Sequence, residues 1–466
     1  MIRSFFLLPV LGIYYFKKNL NFTPKNFYVT EKVAFYTLGC KLNFAETSAI
    51  GRQFKDQGFK ITDFENPADV YVINTCTVTE NAEKDCRKIV RRALRNNPGA
   101  FVIVTGCYAQ LRPEEISAIK GVDAVLGSAE KFRVFDILNS FEKKELSCIF
   151  VSPDGELNES FGPAFSSDAD SRTRAFLKIQ DGCDYKCSFC TIPKARGGSR
   201  SQNPDEVLGN FNQLIAQGYK EIVLTGVNTG DYLWNSSINF YQLLTMLVKQ
   251  EGDFRIRISS IEPNLLTDEI IQLTAENEKM CNHFHIPLQN GSPEILRLMQ
   301  RRYTAADYEN LISRIMEKIP DCGIGVDVIT GFPGETEAHF KETHDFLRNL
   351  PISYLHVFTY SERPDTKAAS MEGQIAVETR RMRTNILRNL SDKKRAFFYT
   401  SMTGEQAEVI FEHENDNGLM KGFTSNYIRV EHLYREELVN KKTAVLLESF
   451  NGITFKGSIT GYLATA

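Results

Sequence analysis

Between Ala175 and Phe358 the chain repeats one pattern six times: a short apolar run, then a stretch with helical periodicity. The runs are Ala175–Ile179, Glu221–Thr225, Arg255–Ser259, His283–Ile286, Gly325–Ile329 and Leu355–Phe358. Parallel strands need long crossover connections of this kind, so the repeat commits the segment to a parallel sheet flanked by helices. Six successive units fit a partial (β/α)6 barrel better than a doubly wound sheet. One crossover carries its own boundary signals: Asn203 as N-cap, Pro204 at N1 and Gly218 at C′ predict a helix from Pro204 to Gln217. Thr336 opens another as N-cap.

The rest of the 466 residues divides around this core. Within 31–150 the runs "KVAFYTL", "VYVIN", "FVIVT" and "DAVLG" alternate with helix candidates around Ala45–Gln57, Glu80–Arg95 and Lys131–Asn139, predicting an open parallel α/β domain. Residues 151–172, rich in Ser, Asp, Gly and Pro without periodicity, read as a linker. The core domain then spans 173–397. Residues 398–466 alternate apolar and polar positions between turn residues, the pattern of a small antiparallel β-barrel of OB-like type. The first 30 residues begin with a basic start and an apolar run from Phe5 to Phe16, but no small-x-small cleavage site follows. They read as an extension ahead of a domain that starts near Glu31. No stretch reaches the roughly 18 apolar residues of a membrane span.

Ten cysteines are too few for a disulfide scaffold in a chain this long, and they cluster. Cys183, Cys187 and Cys190 follow directly on the strand "AFLKI", at the strand end where a barrel builds its active site. Soft thiolates at this spacing select zinc, copper(I) or an iron–sulfur centre. A structural zinc site wants four closed ligands, and the next Cys and His are Cys281 and His283. Three ligands therefore favour a [4Fe–4S] cluster with one iron left open; zinc with a remote ligand is the alternative. Cys40, Cys76 and Cys107 each follow an apolar run, in "FYTLGC", "VINTC" and "VIVTGC". Ligands of open parallel sheets bind at the carboxyl ends of the strands, so these three read as a second three-thiolate site. Cys86, Cys148, Cys281 and Cys322 read as ordinary cysteines.

The motifs "TLGCKLN", "NTCTVTENAEK", "TGCYAQ" and "GCDYKCSFCTIPKARG" together resemble the radical S-adenosylmethionine (SAM) methylthiotransferases. "TLGCKLN" with "NTCTVT" is most similar to the threonylcarbamoyladenosine tRNA branch. The isopentenyladenosine tRNA and ribosomal-protein aspartate branches remain as alternatives, and a non-enzymatic RNA-binding protein with structural metal sites is a further one. The resemblance implies an auxiliary [4Fe–4S] cluster on Cys40, Cys76 and Cys107, a radical-SAM cluster on Cys183, Cys187 and Cys190, and a C-terminal RNA-binding domain of the TRAM type. It also implies a SAM pocket at the remaining strand ends, with Thr225, Gly226, Ser259, Glu262, Gln289, Asp327 and Gly331 as candidates. Each of these is equally readable as a polar or small strand-end residue that serves the fold. One departure is Asp365 in "YSERPDTKA", where the family more often has Gly.

By this resemblance the reaction places a methylthio group on C2 of N6-threonylcarbamoyladenosine at position 37, beside the anticodon, through a radical from reductive SAM cleavage. C2 carries no acidic proton, so acid–base groups cannot functionalise it and a cofactor must. The implied partners are a tRNA anticodon stem-loop and an electron-donor protein such as a flavodoxin or ferredoxin. The implied setting is a cytoplasmic monomer without a membrane anchor. Net charge is −3, so RNA contacts need local basic patches. Tyr399–Ala466 has 6 Lys/Arg against 9 Asp/Glu, an acidic balance for an RNA-binding module. The basic candidates are Lys84, Arg87, Lys88, Arg91, Arg92 and Arg95 on one helix and the run from Arg380 to Arg395; a solvated helix face is the alternative for both.

Overall fold

The computed structural model describes residues 31–77, 82–153, 156–157, 161–166 and 173–462. The N-terminal extension and much of the linker lie outside these residues. The chain forms two compact units, one of residues up to Gly162 with Lys194–Gly197, the other of Pro163–Pro193 with Gly198–Ala466.

In the first unit six parallel strands form one sheet: β1 (Lys32–Thr37), β2 (Lys60–Thr62), β3 (Val70–Thr75), β4 (Phe101–Gly106), β5 (Ala124–Leu126) and β6 (Cys148–Phe150). Their order is β2-β1-β3-β4-β5-β6. β3 and β4 are buried at every position, as strands covered on both faces must be, which is why they read as unbroken apolar runs. The order reverses between β1 and β3, and such a switch point opens a crevice at the strand carboxyl ends. The short outer strands β2 and β6 carry too few residues to show a pattern. Helices α1 (Lys41–Asp56) and α2 (Ala82–Asn96) match expectation. The helix expected over Lys131–Asn139 is instead a 3-10 turn at Glu130–Phe132 and a single turn at Val134–Ile137. That break turns Lys131 inward, 1 % exposed, onto Glu46.

In the second unit the six expected strands are β7 (Arg174–Lys178), β8 (Glu221–Thr225), β9 (Arg255–Ile258), β10 (His283–His285), β11 (Gly323–Thr330) and β12 (Tyr354–Thr359). They run parallel in sequence order as two three-stranded sheets, joined by the parallel bridges Ile256↔Met280 and Ser260↔His285. The result is an open, partial barrel. One extended apolar core lies between its strands and the surrounding helices. Asn203 caps its helix by accepting from the Asp205 amide, and Thr336 forms a capping box with His339. The long helix Val377–Ser401 packs on β12. Its Ser391 hydroxyl both accepts from the Leu355 amide and donates to the Leu355 carbonyl.

The C-terminal strands Gln406–Phe411, Leu419–Thr424, Arg429–Leu433, Lys442–Phe450 and Phe455–Tyr462 close into a barrel. Four pairings are antiparallel and the closing one, Val430↔Phe455, is parallel. A loop of this small barrel stops the N-terminal mouth of the larger one. Arg255 and Arg257 both pair with Glu221 and donate to the carbonyls of Phe423, Thr424 and Ser425. All three charged side chains are at most 1 % exposed. Tyr427 lies over the His283 ring at 4.6 Å, with the Arg257 guanidinium 5.0 Å from its own ring. At Gly323 a Cβ would fall 2.1 Å from the Asn426 carbonyl oxygen, so the two backbones meet only at a glycine. Among the described residues no helix is long and apolar enough to cross a membrane.

Candidate active site

The first unit presents its three cysteines at neighbouring strand ends. Cys40 is the N-cap residue of α1, Cys76 follows β3 directly, and Cys107 is the first residue of the short helix after β4. Two glycines make this convergence possible. Gly39 has φ +97°, and a Cβ there would sit 2.5 Å from Cys76 Cβ and 2.6 Å from its Sγ. Gly106 also has φ +97°, and a Cβ would meet the Thr75 carbonyl oxygen at 2.3 Å. Asn43 ties the two switch-point loops together, its amide nitrogen donating to the carbonyls of Leu38 (2.8 Å) and Thr75 (3.0 Å).

Behind the thiols lies a buried charged group that spacing alone did not reveal. Arg196, 2 % exposed, donates Nε to Cys107 Sγ at 3.2 Å and Nη2 to Asn43 Oδ1 at 2.8 Å. It grips Glu46 through two nitrogens at 2.9 and 3.0 Å, and Lys131 Nζ shares the same carboxylate at 2.7 Å. A guanidinium matches a carboxylate in this forked geometry and keeps a further N–H for the sulfur. The only sequence signal for Arg196 was its place in "CTIPKARG".

The second unit repeats the arrangement. Cys183, Cys187 and Cys190 lie in the loop after β7. Backbone amides of Tyr185 and Ile192 point at the sulfurs of Cys183 (3.4 Å) and Cys190 (3.5 Å). Arg301, which sequence reasoning also passed over, donates Nη1 to Cys187 Sγ at 3.0 Å and pairs with Glu262. Burial pushes the Cys183 thiol up to about 12 and the Cys190 thiol to about 11. These sulfurs are neutral at physiological pH until a metal displaces the proton.

The candidates for the SAM pocket separate. Thr225 and Gly226 end β8, and Ser259 follows β9 beside them, its amide bonded to the Leu224 carbonyl. A Cβ on Gly226 would come 2.9 Å from Gln180 Oε1, so a small residue is required there. Glu262 lies next to the cysteine loop through Arg301. Thr225 Oγ1 and Asn228 Nδ2 at this strand end are buried without a hydrogen-bond partner among the described residues. Buried polar atoms in native structures are almost always satisfied, so this pair fits a polar ligand. Gln289, at φ +70°, spends its backbone on Asp327 and Ile329. Asp327 lies mid-strand in β11 and pairs with His285 at 2.9 Å. The Gly331 amide is taken by Glu335, and a Cβ there would strike Arg380 Cγ at 2.3 Å. The geometry thus places Thr225, Gly226 and Ser259 at the adjoining ends of β8 and β9, ties Glu262 to the cysteine loop through Arg301, and gives Gln289, Asp327 and Gly331 other partners. Asp365 adopts φ +67°, the conformation a glycine would take, which Asp tolerates better than most residues.

Three thiols, amides and a guanidinium aimed at sulfur, and two unsatisfied polar atoms form a donor set that fits a three-cysteine [4Fe–4S] cluster and SAM in the second unit. The same thiol and guanidinium pattern fits a cluster in the first. The basic candidates divide as well. Lys84, Lys88, Arg91 and Arg95 lie exposed along one face of α2. Arg92 pairs with Glu65, while Arg380 and Arg383 are buried on Glu362, Glu335 and Glu337.

Comparison with known proteins agrees with this geometry. Residues 177–347 match the model of the Radical SAM superfamily, and residues 32–127 that of Uncharacterized protein family UPF0004. Threonylcarbamoyladenosine tRNA methylthiotransferase MtaB of Bacillus subtilis is 42% identical over 88% of this chain and 92% of its own length. MtaB of Aquifex aeolicus is 39% identical over 89% of this chain and all of its own. A tRNA-2-methylthio-N(6)-dimethylallyladenosine synthase of Clostridium novyi is 31% identical over 94% of this chain and 99% of its own. Among solved structures, the radical S-adenosylmethionine methyltransferase TsrM of Kitasatospora setae shares the fold, with TM-score 0.55 and 16% identity over 73% of this chain and 77% of that one.

Proposed function

Because the chain belongs to the radical-SAM methylthiotransferase family, we propose that it converts N6-threonylcarbamoyladenosine of tRNA to its 2-methylthio derivative. The enzyme class and the use of two [4Fe–4S] clusters and SAM follow from the family. The substrate follows the relatives named for threonylcarbamoyladenosine, at 42% and 39% identity, over the dimethylallyladenosine enzyme at 31%. The observation that carries the reading is the pair of three-cysteine sites, each with a buried arginine on one sulfur and a glutamate holding that arginine.

Cys183, Cys187 and Cys190 would hold the cluster that cleaves SAM, and Cys40, Cys76 and Cys107 the auxiliary cluster from which sulfur is delivered. When bound, these groups supply the radical and the sulfur that C2 requires. The protein's own residues position them. Arg301 and Arg196 stabilise thiolate sulfur through N–H donors, and Glu262 and Glu46 fix those guanidinia. Thr225 and Asn228 offer polar atoms to SAM, and Gly226 gives it room. The Arg255–Glu221–Arg257 group and Tyr427 close the barrel floor, which keeps water from that end. The exposed row Lys84, Lys88, Arg91 and Arg95 suits the phosphates of an anticodon stem-loop. A monomer working in the cytoplasm with a flavodoxin or ferredoxin as electron donor completes the proposal. Metal analysis of reconstituted protein tests it: about eight iron and eight acid-labile sulfide per chain are expected, whereas stoichiometric zinc would contradict it.

A further inference from the structure

Three polar side chains on adjacent strands lie inside the barrel, apart from the cysteine loop: His285 on β10, Asp327 on β11 and His356 on β12. Neighbouring positions Phe284, Ile286, Val326, Val328, Leu355 and Val357 belong to the apolar core, so by the two-residue period of a strand the trio faces the other way, into the barrel. His285 Nε2 and Asp327 Oδ1 are 2.9 Å apart, Asp327 pairs in register with His356, and one donor atom from each of the three lies within 4.8 Å of the others. His285 and Asp327 are half-buried and His356 is exposed. β12 is the edge strand of its sheet among the described residues. A cleft of about 360 Å³ opens along that edge, lined by His356, Phe358, Arg388, Ser391, Asp392 and Arg395.

We propose that His285, Asp327 and His356 form the subsite that reads the N6 substituent of the target adenosine, and that this subsite selects a polar, anionic substituent over an apolar one. The inference rests on the substrate class proposed above and adds the residues that enforce it. A threonylcarbamoyl group presents ureido N–H donors, a hydroxyl and a carboxylate. Asp327 accepts from the donors. An imidazole N–H of His356 and the guanidinium of Arg388 at the cleft meet the carboxylate, while Arg395 pairs with Asp392. The hydrogen bond from His285 fixes the Asp327 carboxylate for its accepting role. Phe358, 42% exposed, offers a face on which an unstacked base can lie. An isopentenyl group can answer none of these polar atoms. Seating it would strip water from these polar side chains and return no hydrogen bond, the condition that gives polar sites their strongest discrimination.

The test compares wild type, His356→Phe and His356→Gln on anticodon stem-loops carrying either N6-threonylcarbamoyladenosine or N6-isopentenyladenosine. Product is read by nucleoside mass spectrometry and binding by fluorescence anisotropy. Iron content reports that each variant is folded. Losing one charge-assisted hydrogen bond should lower kcat/KM for the threonylcarbamoyl RNA about 10- to 100-fold, mainly through KM. The loss for the isopentenyl RNA should be smaller, and Gln should recover part of the preference. Unchanged selectivity in H356F, or an equal loss on both RNAs, overturns the inference while the proposed reaction stands. A divalent ion retained by wild type and lost in H356F makes the trio a metal site and overturns it as well. If wild type methylthiolates neither RNA the proposed reaction fails, and the binding preference alone then decides the subsite.

Discussion

Arg196→Met is the most informative single change in the first unit. Glu46 is fully buried and accepts from Arg196 twice and from Lys131 once. Methionine fills most of the volume but removes the guanidinium, leaving the buried carboxylate with Lys131 as an ion-pair partner among the described residues. Breaking a buried ion pair costs about 3–5 kcal/mol, and the surviving lysine places this case near about 3 kcal/mol. For a unit of this size that corresponds to a fall in Tm of about 6–12 °C. The assay is thermal unfolding of cluster-free protein, followed by iron analysis after reconstitution. The N–H donor to Cys107 is lost too, so iron should fall toward about half of the wild-type content. Arg196→Lys keeps the charge but not the fork, and should recover part of the stability and less of the iron. A Tm within about 1 °C of wild type with full iron retention would refute the reasoning, since it would mean Glu46 is compensated without Arg196.

Three further outcomes follow from the geometry. Cys187→Ala should abolish release of 5′-deoxyadenosine from SAM while keeping the other cluster, about four iron per chain; loss of all iron would contradict two independent sites. Gly39→Ala should impair the auxiliary site selectively, because φ +97° and a Cβ 2.5 Å from Cys76 force that cysteine to move; electron paramagnetic resonance of the reduced protein reads the loss, and a spectrum like wild type would refute it. Glu221→Gln should cost about 3–5 kcal/mol by leaving Arg255 and Arg257 buried without their carboxylate, measured by urea denaturation. Burial alone would raise the Glu221 carboxyl, but Arg257 and Arg255 hold it far below the usual carboxylate range. Its stabilisation is therefore present above the unfolded value of about 4.3 and declines as pH falls below it, a decline the Gln variant should lack.

The strands were legible because parallel strands buried on both faces must be apolar throughout. Glu221–Thr225 was placed to the residue, and β3 and β4 within one. Cys40, Cys76 and Cys107 were legible for the same reason, each lying just past such a run, whereas Cys183, Cys187 and Cys190 were legible by their spacing in the loop after β7. Arg196, Arg301 and Glu46 were not, because a buried charge looks like a surface charge in a sequence until its partner 150 residues away is known. The helix expected at Lys131–Asn139 failed on the same point: Lys131 is consumed by Glu46. Asp327 was assigned to the strand ends by its neighbours in "GVDVITGFPGE", yet strand β11 continues to Thr330 and leaves it lower in the barrel. The run Arg380–Arg395 looked like one basic face, whereas Arg380 and Arg383 are spent on carboxylates inside the fold.

The central claim is a reaction at one carbon of one modified base, and the product itself tests it most directly. Reconstituted enzyme, SAM, a reductant and tRNA bearing N6-threonylcarbamoyladenosine are incubated, and the digested nucleosides are resolved by mass spectrometry. The account predicts 2-methylthio-N6-threonylcarbamoyladenosine, absent when Cys187 or Cys107 is replaced by alanine. Unchanged N6-threonylcarbamoyladenosine, with methylthiolation of isopentenyladenosine tRNA in its place, would contradict it.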